Sequence, residues 1–577
     1  MNTINLTIDG QMVEVEKGTS ILDAAKKINI EIPTLCNMYM GTDNTRNCKG
    51  TCRVCLVEQE GKGKLIPSCA VKANDGMVIN THTRRVIEAR RTIVQLLLSD
   101  HPKDCLKCDR NGNCELQDLA EQLGIISNKY EGEMSEYEID NSSNVIVREM
   151  DKCILCRRCV TMCNEVQKVN VLTPIDRGFN TVISTFFNKP LVETDCTYCG
   201  QCVAVCPTGA LREARSYDKL WSILEDKNKY VIVQTAPAVR VALGEAFGFE
   251  VGESITKKMV AALRLLGFDA IYDTNFGADL TIMEETNEFI ERLKEKKNLP
   301  MLTSCCAAWV NFVESKYPEL INHLSSCKSP QQMFGSIAKR YLSKKLNIKE
   351  EDIVVVSIMP CIAKKYEANR EEMTNDGVKN VDVVITTREF IKMIKEAGIN
   401  IRNLKDDEFD NPLGESSGAG VIFGATGGVM EAALRTASEI ITGETLEKVD
   451  FKDVRGFKGI KESSIKIDGQ EINIATVSSL GNAKKIMDEI KSGESKYDFV
   501  EVMACPGGCI NGGGQPFNKA NVNMIKKRME GLYAEDENKT IRKSHENPSI
   551  KKVYEELLIE PNSDIAHELL HTYYKEK

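Results

Sequence analysis

The 577-residue chain contains no run of about 18 apolar residues, which excludes a membrane-spanning helix. It has no excess of positive charge. Its 75 Lys and Arg stand against 84 Asp and Glu, a net charge of −9, which argues against a general nucleic-acid binder and leaves room only for a local basic patch. The stretch MNTINLTIDGQMVEVEKG at the start lacks the basic head and apolar core of a signal peptide, so a cytoplasmic location is expected. No flavin or dinucleotide fingerprint stands out, so any nicotinamide chemistry would belong to a partner. What remains is ordinary for globular protein, 42% hydrophobic and 28% charged, but too long for one core.

Cysteine is what the chain has in abundance. There are 22, of which sixteen precede Pro207. Thiols in a reducing compartment are poor candidates for disulfides, so this asymmetry suggests a metal-loaded N-terminal arm and a separate C-terminal domain.

Residues 4–16 read as a hairpin about Asp9-Gly10, and residues 20–28 as a short helix capped by Thr19 or Ser20. Then come Cys36, Cys48, Cys52, Cys55 and Cys69. One distant cysteine, a C-x-x-C pair and a later fourth is the layout of a plant-type [2Fe–2S] site, with Cys36, Cys52, Cys55 and Cys69 as ligands. Cys48 is surplus and could replace Cys52; a zinc knuckle is the competing reading. TCRVCLVE resembles the two-iron domains of complex I-like proteins and hydrogenases. His101, Cys105, Cys108 and Cys114 follow. A neutral ring nitrogen can supply the fourth ligand of a [4Fe–4S] cluster, and the spacing resembles the His-ligated site of the same families; a Cys3His zinc site is the alternative.

The next unit is the most specific in the arm. Cys153, Cys156, Cys159 and Cys163 repeat as Cys196, Cys199, Cys202 and Cys206-Pro207, a duplicated bacterial ferredoxin run. In such domains the fourth cysteine of each run ligates the other cluster, which groups Cys206 with Cys153, Cys156 and Cys159, and Cys163 with Cys196, Cys199 and Cys202. Four clusters make an electron wire. Nothing in the arm offers an acid, a base or a substrate pocket, so the terminus should lie downstream.

From about Tyr230 the texture changes. YVIVQTAP (230–237), DIVVVSIMP (352–360) and VDVVITT (381–387) read as buried strands and MVAALRLLGF (259–268) as a helix, which implies α/β layers with ligands at the strand ends. Five cysteines follow such turns: Cys305 and Cys306 in TSCCAAW, Cys361 in MPCIAKKYE, and Cys505 and Cys509 in EVMACPGGCINGGGQP. Cys327 has no ligand-like context and reads as a buried structural thiol.

These three segments closely resemble the three signature segments of [FeFe] hydrogenases, and the similarity extends through the arm. The resemblance implies the following. Cys306, Cys361, Cys505 and Cys509 hold a [4Fe–4S] cubane. Cys509 also bridges to a di-iron unit carrying CO, cyanide and an azadithiolate, and the whole is the H-cluster. The glycines of the third segment let backbone wrap that bulky group. Cys305, Glu285, Ser325, Glu288 and Arg292 form a proton relay; solvated helix face is the competing reading for the glutamates. Lys364 hydrogen-bonds a cyanide, and Pro237, Ala238, Gln331, Met359 and Met503 line the pocket. Ala307 and Ala238 depart from the usual proline and serine.

The expected architecture is multidomain α+β and α/β. A plant-type ferredoxin-like domain (1–80), a His/Cys3 domain (81–126) and a two-cluster ferredoxin domain (127–212) precede a large catalytic domain (213–577) with the H-cluster between two lobes. Its tail, 528–577, resembles the small subunit that some relatives carry as a separate chain. The expected reaction is 2H⁺ + 2e⁻ ⇌ H₂, with three accessory [4Fe–4S] clusters and one [2Fe–2S] cluster. Ferredoxin or flavodoxin are the expected electron partners, and maturation proteins install the di-iron unit. No nucleic acid or membrane partner is expected. The competing readings are the catalytic subunit of an NAD-linked bifurcating hydrogenase and an H₂ sensor. The basic stretch HTRRVIEARR (82–91) reads either as a ferredoxin dock or as a solvated helix face.

Overall fold

The computed structural model describes residues 3–446 and 448–577. The chain opens with the expected hairpin, Thr3–Ile8 and Gln11–Glu16, turning on Asp9 and Gly10, both at positive φ. The short helix Ile21–Lys27 follows, with the Ser20 hydroxyl accepting from the Asp23 amide. The hairpin joins three further strands into a five-stranded sheet over an apolar core that includes Cys55 and Cys69. A helix, Arg84–Ser99, leads into the His101 region. Its basic face is largely spent internally. Arg84 pairs with Glu88, Arg85 with Glu58, Arg90 donates to the Leu56 carbonyl, and Arg91 donates to that of Leu123.

The C-terminal region holds two four-stranded sheets. The first is wholly parallel, in the order Ala270–Asp273, Tyr230–Thr235, Ile353–Met359, Val383–Thr386. These strands match the Val- and Ile-rich runs in the sequence, as buried parallel strands should. In the second, Met301–Leu302, Phe499–Met503 and Gln470–Ser478 run parallel, and Ile460–Ile467 closes the edge antiparallel. The ends of four parallel strands, at Thr235, Leu302, Met359 and Met503, deliver the segments that follow them to the space between the sheets. This is where open α/β sheets bind ligands.

Two long helices close that space: Thr274–Glu295, and Pro330–Leu346 packed against it. The tail wraps round behind them. The buried Arg528 makes a double contact with Glu245 at 2.7 Å and donates to the Ile510 carbonyl at 2.8 Å, which ties the tail to the cysteine-and-glycine segment. No helix among the described residues is long and apolar enough to cross a membrane.

Candidate active site and electron path

Between the two sheets lies a cavity of about 80 Å³. Cys306, Cys361, Cys505 and Cys509, drawn from three separate signature segments, all face it. So do Cys305, Lys364, Gln331, Met359, Met503, Pro237, Ala238 and Ala307. Cys306 sits at the N-cap of the helix Ala307–Lys316, where unpaired amides and the helix dipole favour negative charge. Ala307 takes the first helical position, which tolerates proline because its N–H lacks an intrahelical partner; alanine fits there as well. The Ala238 carbonyl accepts from Gln515 at 2.8 Å, which joins the first strand end to the glycine-rich segment. Four thiols, a buried cation and methionine-lined walls suit a soft-metal cluster.

The Lys364 ammonium donates to the Cys305 carbonyl at 3.0 Å and to both Glu367 oxygens at 2.9 Å. Burial pulls it down, but the Glu367 carboxylate outweighs this and holds the ammonium above its usual range. Glu367 also accepts from Ser329 and Gln331. The sequence pattern MPCIAKKYE contained this glutamate without showing its part, which is to anchor the lysine. Glu501 was missed in the same way: it accepts from the Gly427 and Met430 amides, both at 2.7 Å, and caps the helix Gly428–Thr442.

The glycines behave differently from the expectation. Gly508 and Gly512 do line the cavity. A Cβ on Gly512, however, would stand 2.1 Å from the Pro360 carbonyl oxygen, one on Gly514 2.8 Å from Thr386, and one on Gly513 2.8 Å from the Gly200 backbone. The run serves mainly to seat backbone against backbone, and at Gly513 the neighbour is the ferredoxin domain.

The helix Thr274–Glu295 carries Glu285 and Glu288 on one face. Glu285 is fully buried and its two oxygens have no hydrogen-bond partner. Burial, reinforced by the Glu288 charge, raises it to about 8. Burial also pushes the Cys305 thiol up, with Glu285 the next cause. Glu288 is fully partnered, accepting from Arg292 at 2.6 Å, from the Ser325 hydroxyl at 2.8 Å and from the Ser326 amide. Cys327 is buried as expected, yet it is not remote from the site: its thiol is 3.9 Å from Glu288.

A second cavity, of about 30 Å³, is lined by Cys163, Cys196, Cys199 and Cys202, one of the two crossed sets of the duplicated run. Cys199 also lines the first cavity, so the two share a wall. Burial raises the thiols of Cys153, Cys156 and Cys159, and Cys206 adds to the shift of each, as it does to that of Cys202. Further out, Cys52 and Cys69 lower the Cys36 thiol and Cys69 lowers that of Cys55, as in a close group of thiols. Cys48 turns away to the Cys69 carbonyl, at 3.0 Å. Asn47 bridges this group to the next, donating to the carbonyls of Cys36 and Cys156. His101 has a buried Nδ1 without a partner, and burial lowers its pKa, so its ring is neutral and free to ligate. Cys108 lies beside Gly209, and Glu115, next to Cys114, holds Arg158 at 2.7 and 2.9 Å.

A cysteine-lined cavity at the strand ends, sharing its Cys199 wall with the first of four further cysteine groups, defines an iron–sulfur oxidoreductase. The chain belongs to the [FeFe], or iron-only, hydrogenase family. It matches the C-terminal domain of the iron-only hydrogenase large subunit over residues 229–513 and the iron hydrogenase small subunit over 522–577. The 2Fe-2S iron–sulfur cluster binding domain matches residues 1–84, the NADH-ubiquinone oxidoreductase-G iron–sulfur binding region residues 90–129, and the ferredoxin-like domain of NADH-quinone oxidoreductase subunit 3 residues 143–212. The NADP-reducing hydrogenase subunit HndD of Solidesulfovibrio fructosivorans is 53% identical, covering 100% of this chain and 99% of its own. Iron hydrogenase 1 of Clostridium pasteurianum is 41% identical over 99% of each. Among solved structures, an apo [FeFe]-hydrogenase HydA1 variant from Chlamydomonas reinhardtii aligns with a TM-score of 0.57 at 44% identity, over 63% of this chain and 99% of that one. The protein is therefore a hydrogenase whose cofactors are the H-cluster with [2Fe–2S] and [4Fe–4S] clusters.

Proposed function

We propose that the chain interconverts protons and H₂ in the larger cavity, using electrons carried along the N-terminal arm and protons carried by Cys305, Glu285, Ser325 and Glu288. In this reading Cys306, Cys361, Cys505 and Cys509 hold the cubane, and Cys509 also holds the di-iron unit. When bound, the H-cluster supplies a Lewis-acidic metal that polarises H₂ and an amine base beside it. The chain supplies position, dryness and proton delivery. Lys364, anchored by Glu367, offers an ammonium to an anionic ligand. Cys305 holds a proton because burial keeps its thiol neutral. Glu285, near 8, can both take and give a proton near neutrality. Glu288 stands at the outer end, oriented by Arg292.

One observation carries the reading: four cysteines of the signature segments meet in one cavity whose Cys199 wall belongs to the neighbouring cysteine set. The accessory ligands follow as Cys36, Cys52, Cys55 and Cys69; His101, Cys105, Cys108 and Cys114; and the two crossed ferredoxin sets. The domain boundaries expected above are proposed with them.

Reduced ferredoxin is the proposed donor. A second donor reading is favoured by the whole-chain likeness to a subunit of an NADP-reducing hydrogenase, in which flavoprotein partners would bring the nicotinamide chemistry. The test is H₂ evolution by anaerobically purified, fully matured protein from reduced viologen, then from reduced ferredoxin, with infrared spectra of the same sample. Carbonyl and cyanide bands with viologen activity are expected. Neither, after verified maturation, overturns the catalytic reading. Activity that needs co-purifying flavoproteins and NAD(P)H, with none from ferredoxin, replaces the donor.

A further inference from the structure

The outer end of this relay stops at a group that cannot carry a proton onward. Arg292 donates to Glu288 at 2.6 Å and to the carbonyls of His323 and Leu324 at 3.1 and 2.8 Å. A guanidinium is not deprotonated in proteins, so Arg292 orients Glu288 and does not relieve it of its proton.

On the other side of Glu288 lies a group that can. One Glu288 oxygen, the Cys327 sulfur and one His571 ring nitrogen all lie within 4.8 Å of one another. That separation is spanned by a single water making two hydrogen bonds of about 2.8 Å. Behind it, His571 Nε2 is 3.0 Å from Glu284, which is held in turn by the Tyr554 hydroxyl and, at 2.8 Å, by the Asn562 amide. An ionised carboxylate only accepts, so Nε2 carries the hydrogen of the neutral ring. Nδ1 is then the acceptor, and it takes the Ser326 hydroxyl at 2.8 Å. The neighbour of Ser326 is Cys327, so the basic edge of the ring faces the relay. The fully buried Glu284 carboxyl, 3.0 Å from Nε2, is the partner that a second ring proton would find in place. The exposed His567 ring lies tilted against His571, with centroids 4.2 Å apart, which leads to solvent.

We propose that His571 receives the proton beyond Glu288. Protonated Glu288 gives H⁺, through the Cys327 thiol or one bridging water, to the Ser326 hydroxyl oxygen as that hydroxyl hands its own proton to His571 Nδ1. Glu288 returns to carboxylate, the ring becomes imidazolium beside Glu284, and the proton then passes to His567 or to buffer. H₂ evolution runs the same steps in reverse, and no electron moves. The titratable and charged groups around His571 are Glu284 and Glu288 from the helix Thr274–Glu295, Cys327, Lys328, Tyr554 and His567, with Glu291 beyond His567. The Lys328 ammonium is engaged by Asn375 and the Leu569 carbonyl.

The proposal rests on Glu288 being the relay's outer carboxylate, so Glu288→Gln is measured beside it. Matured Glu288→Gln, His571→Gln and His571→Ala are compared with the unaltered enzyme for H₂ evolution across pH, with infrared bands as the measure of cofactor loading. His571→Gln is expected to keep the bands, lose roughly tenfold or more in turnover and change the pH profile of the rate. Added imidazole should restore His571→Ala and leave Glu288→Gln slow. An unchanged rate and pH profile in His571→Gln overturns the proposal, as does a loss in His571→Ala that imidazole does not repair. Full turnover in Glu288→Gln overturns the relay reading itself.

Discussion

Two cysteine-lined cavities stand side by side and share Cys199, yet they are built for different work. The one in the ferredoxin domain is about 30 Å³, lined by four cysteines and otherwise mostly by apolar side chains, with Arg148, Gln167 and Gln201 among them. The one in the catalytic domain is about 80 Å³ and adds to its four signature cysteines a fifth thiol, Cys305, beside the anchored Lys364. Electron transfer needs a cluster held in a dry box. Chemistry needs spare volume beside the cluster and groups that can hand over protons. The surplus in the larger cavity is what separates a carrier from a catalyst.

The largest effect should come from breaking that surplus at its root. Cys509→Ala is expected to abolish turnover and remove the carbonyl and cyanide infrared bands, while iron–sulfur absorption from the arm persists. Normal bands in that variant would break the ligand assignment. Cys305→Ala should keep the bands and cost about 10²- to 10⁴-fold in H₂ evolution, the range for losing a positioned acid or base. Cys202→Ala attacks the smaller cavity. It should leave the catalytic infrared bands intact and slow turnover with every external donor, but by less than Cys305→Ala; an unchanged rate would mean that electrons bypass the shared wall.

The smallest effect concerns stability. The folded pKa of Glu285, about 8, lies above its ordinary value of 4.5, so folding opposes its ionisation. That cost is absent near pH 4.5 and grows as pH rises toward 8. Glu285→Gln should therefore gain melting temperature relative to the unaltered protein between pH 5 and pH 8, by about 2–4 °C for each kcal/mol relieved. A pH-independent difference would show that the carboxyl is not buried as described.

Much of this was legible in the residues. The duplicated ferredoxin run, with the fourth-cysteine exchange known for such domains, grouped Cys163 with Cys196, Cys199 and Cys202, the four that line the smaller cavity, and the Val/Ile runs at 230–237, 352–360 and 381–387 became the parallel strands whose ends build the site. What was hidden depended on contacts across long sequence separations. Gly513 meets Gly200, Glu501 caps a helix that starts at Gly428, and Cys327 meets Glu288 and His571; no local pattern announces such meetings. The arginines of residues 82–91 show the opposite: charge is visible in a sequence, but the partners Glu58 and Leu56 are not, and with Arg84 still exposed both readings of that stretch stand.

The meeting of Gly513 with Gly200 has a consequence for how freely such proteins can be rearranged. A Cβ on Gly200 would also strike Ile362, at 2.7 Å, so both sides of the junction are stripped to bare backbone. The loop that closes over the catalytic cavity is thus the same loop on which the ferredoxin domain is moored. Grafting a foreign electron-transfer module onto this enzyme would require that module to present an equally bare turn, whatever its redox potential. At this junction modular exchange is limited first by steric fit and only then by electronics.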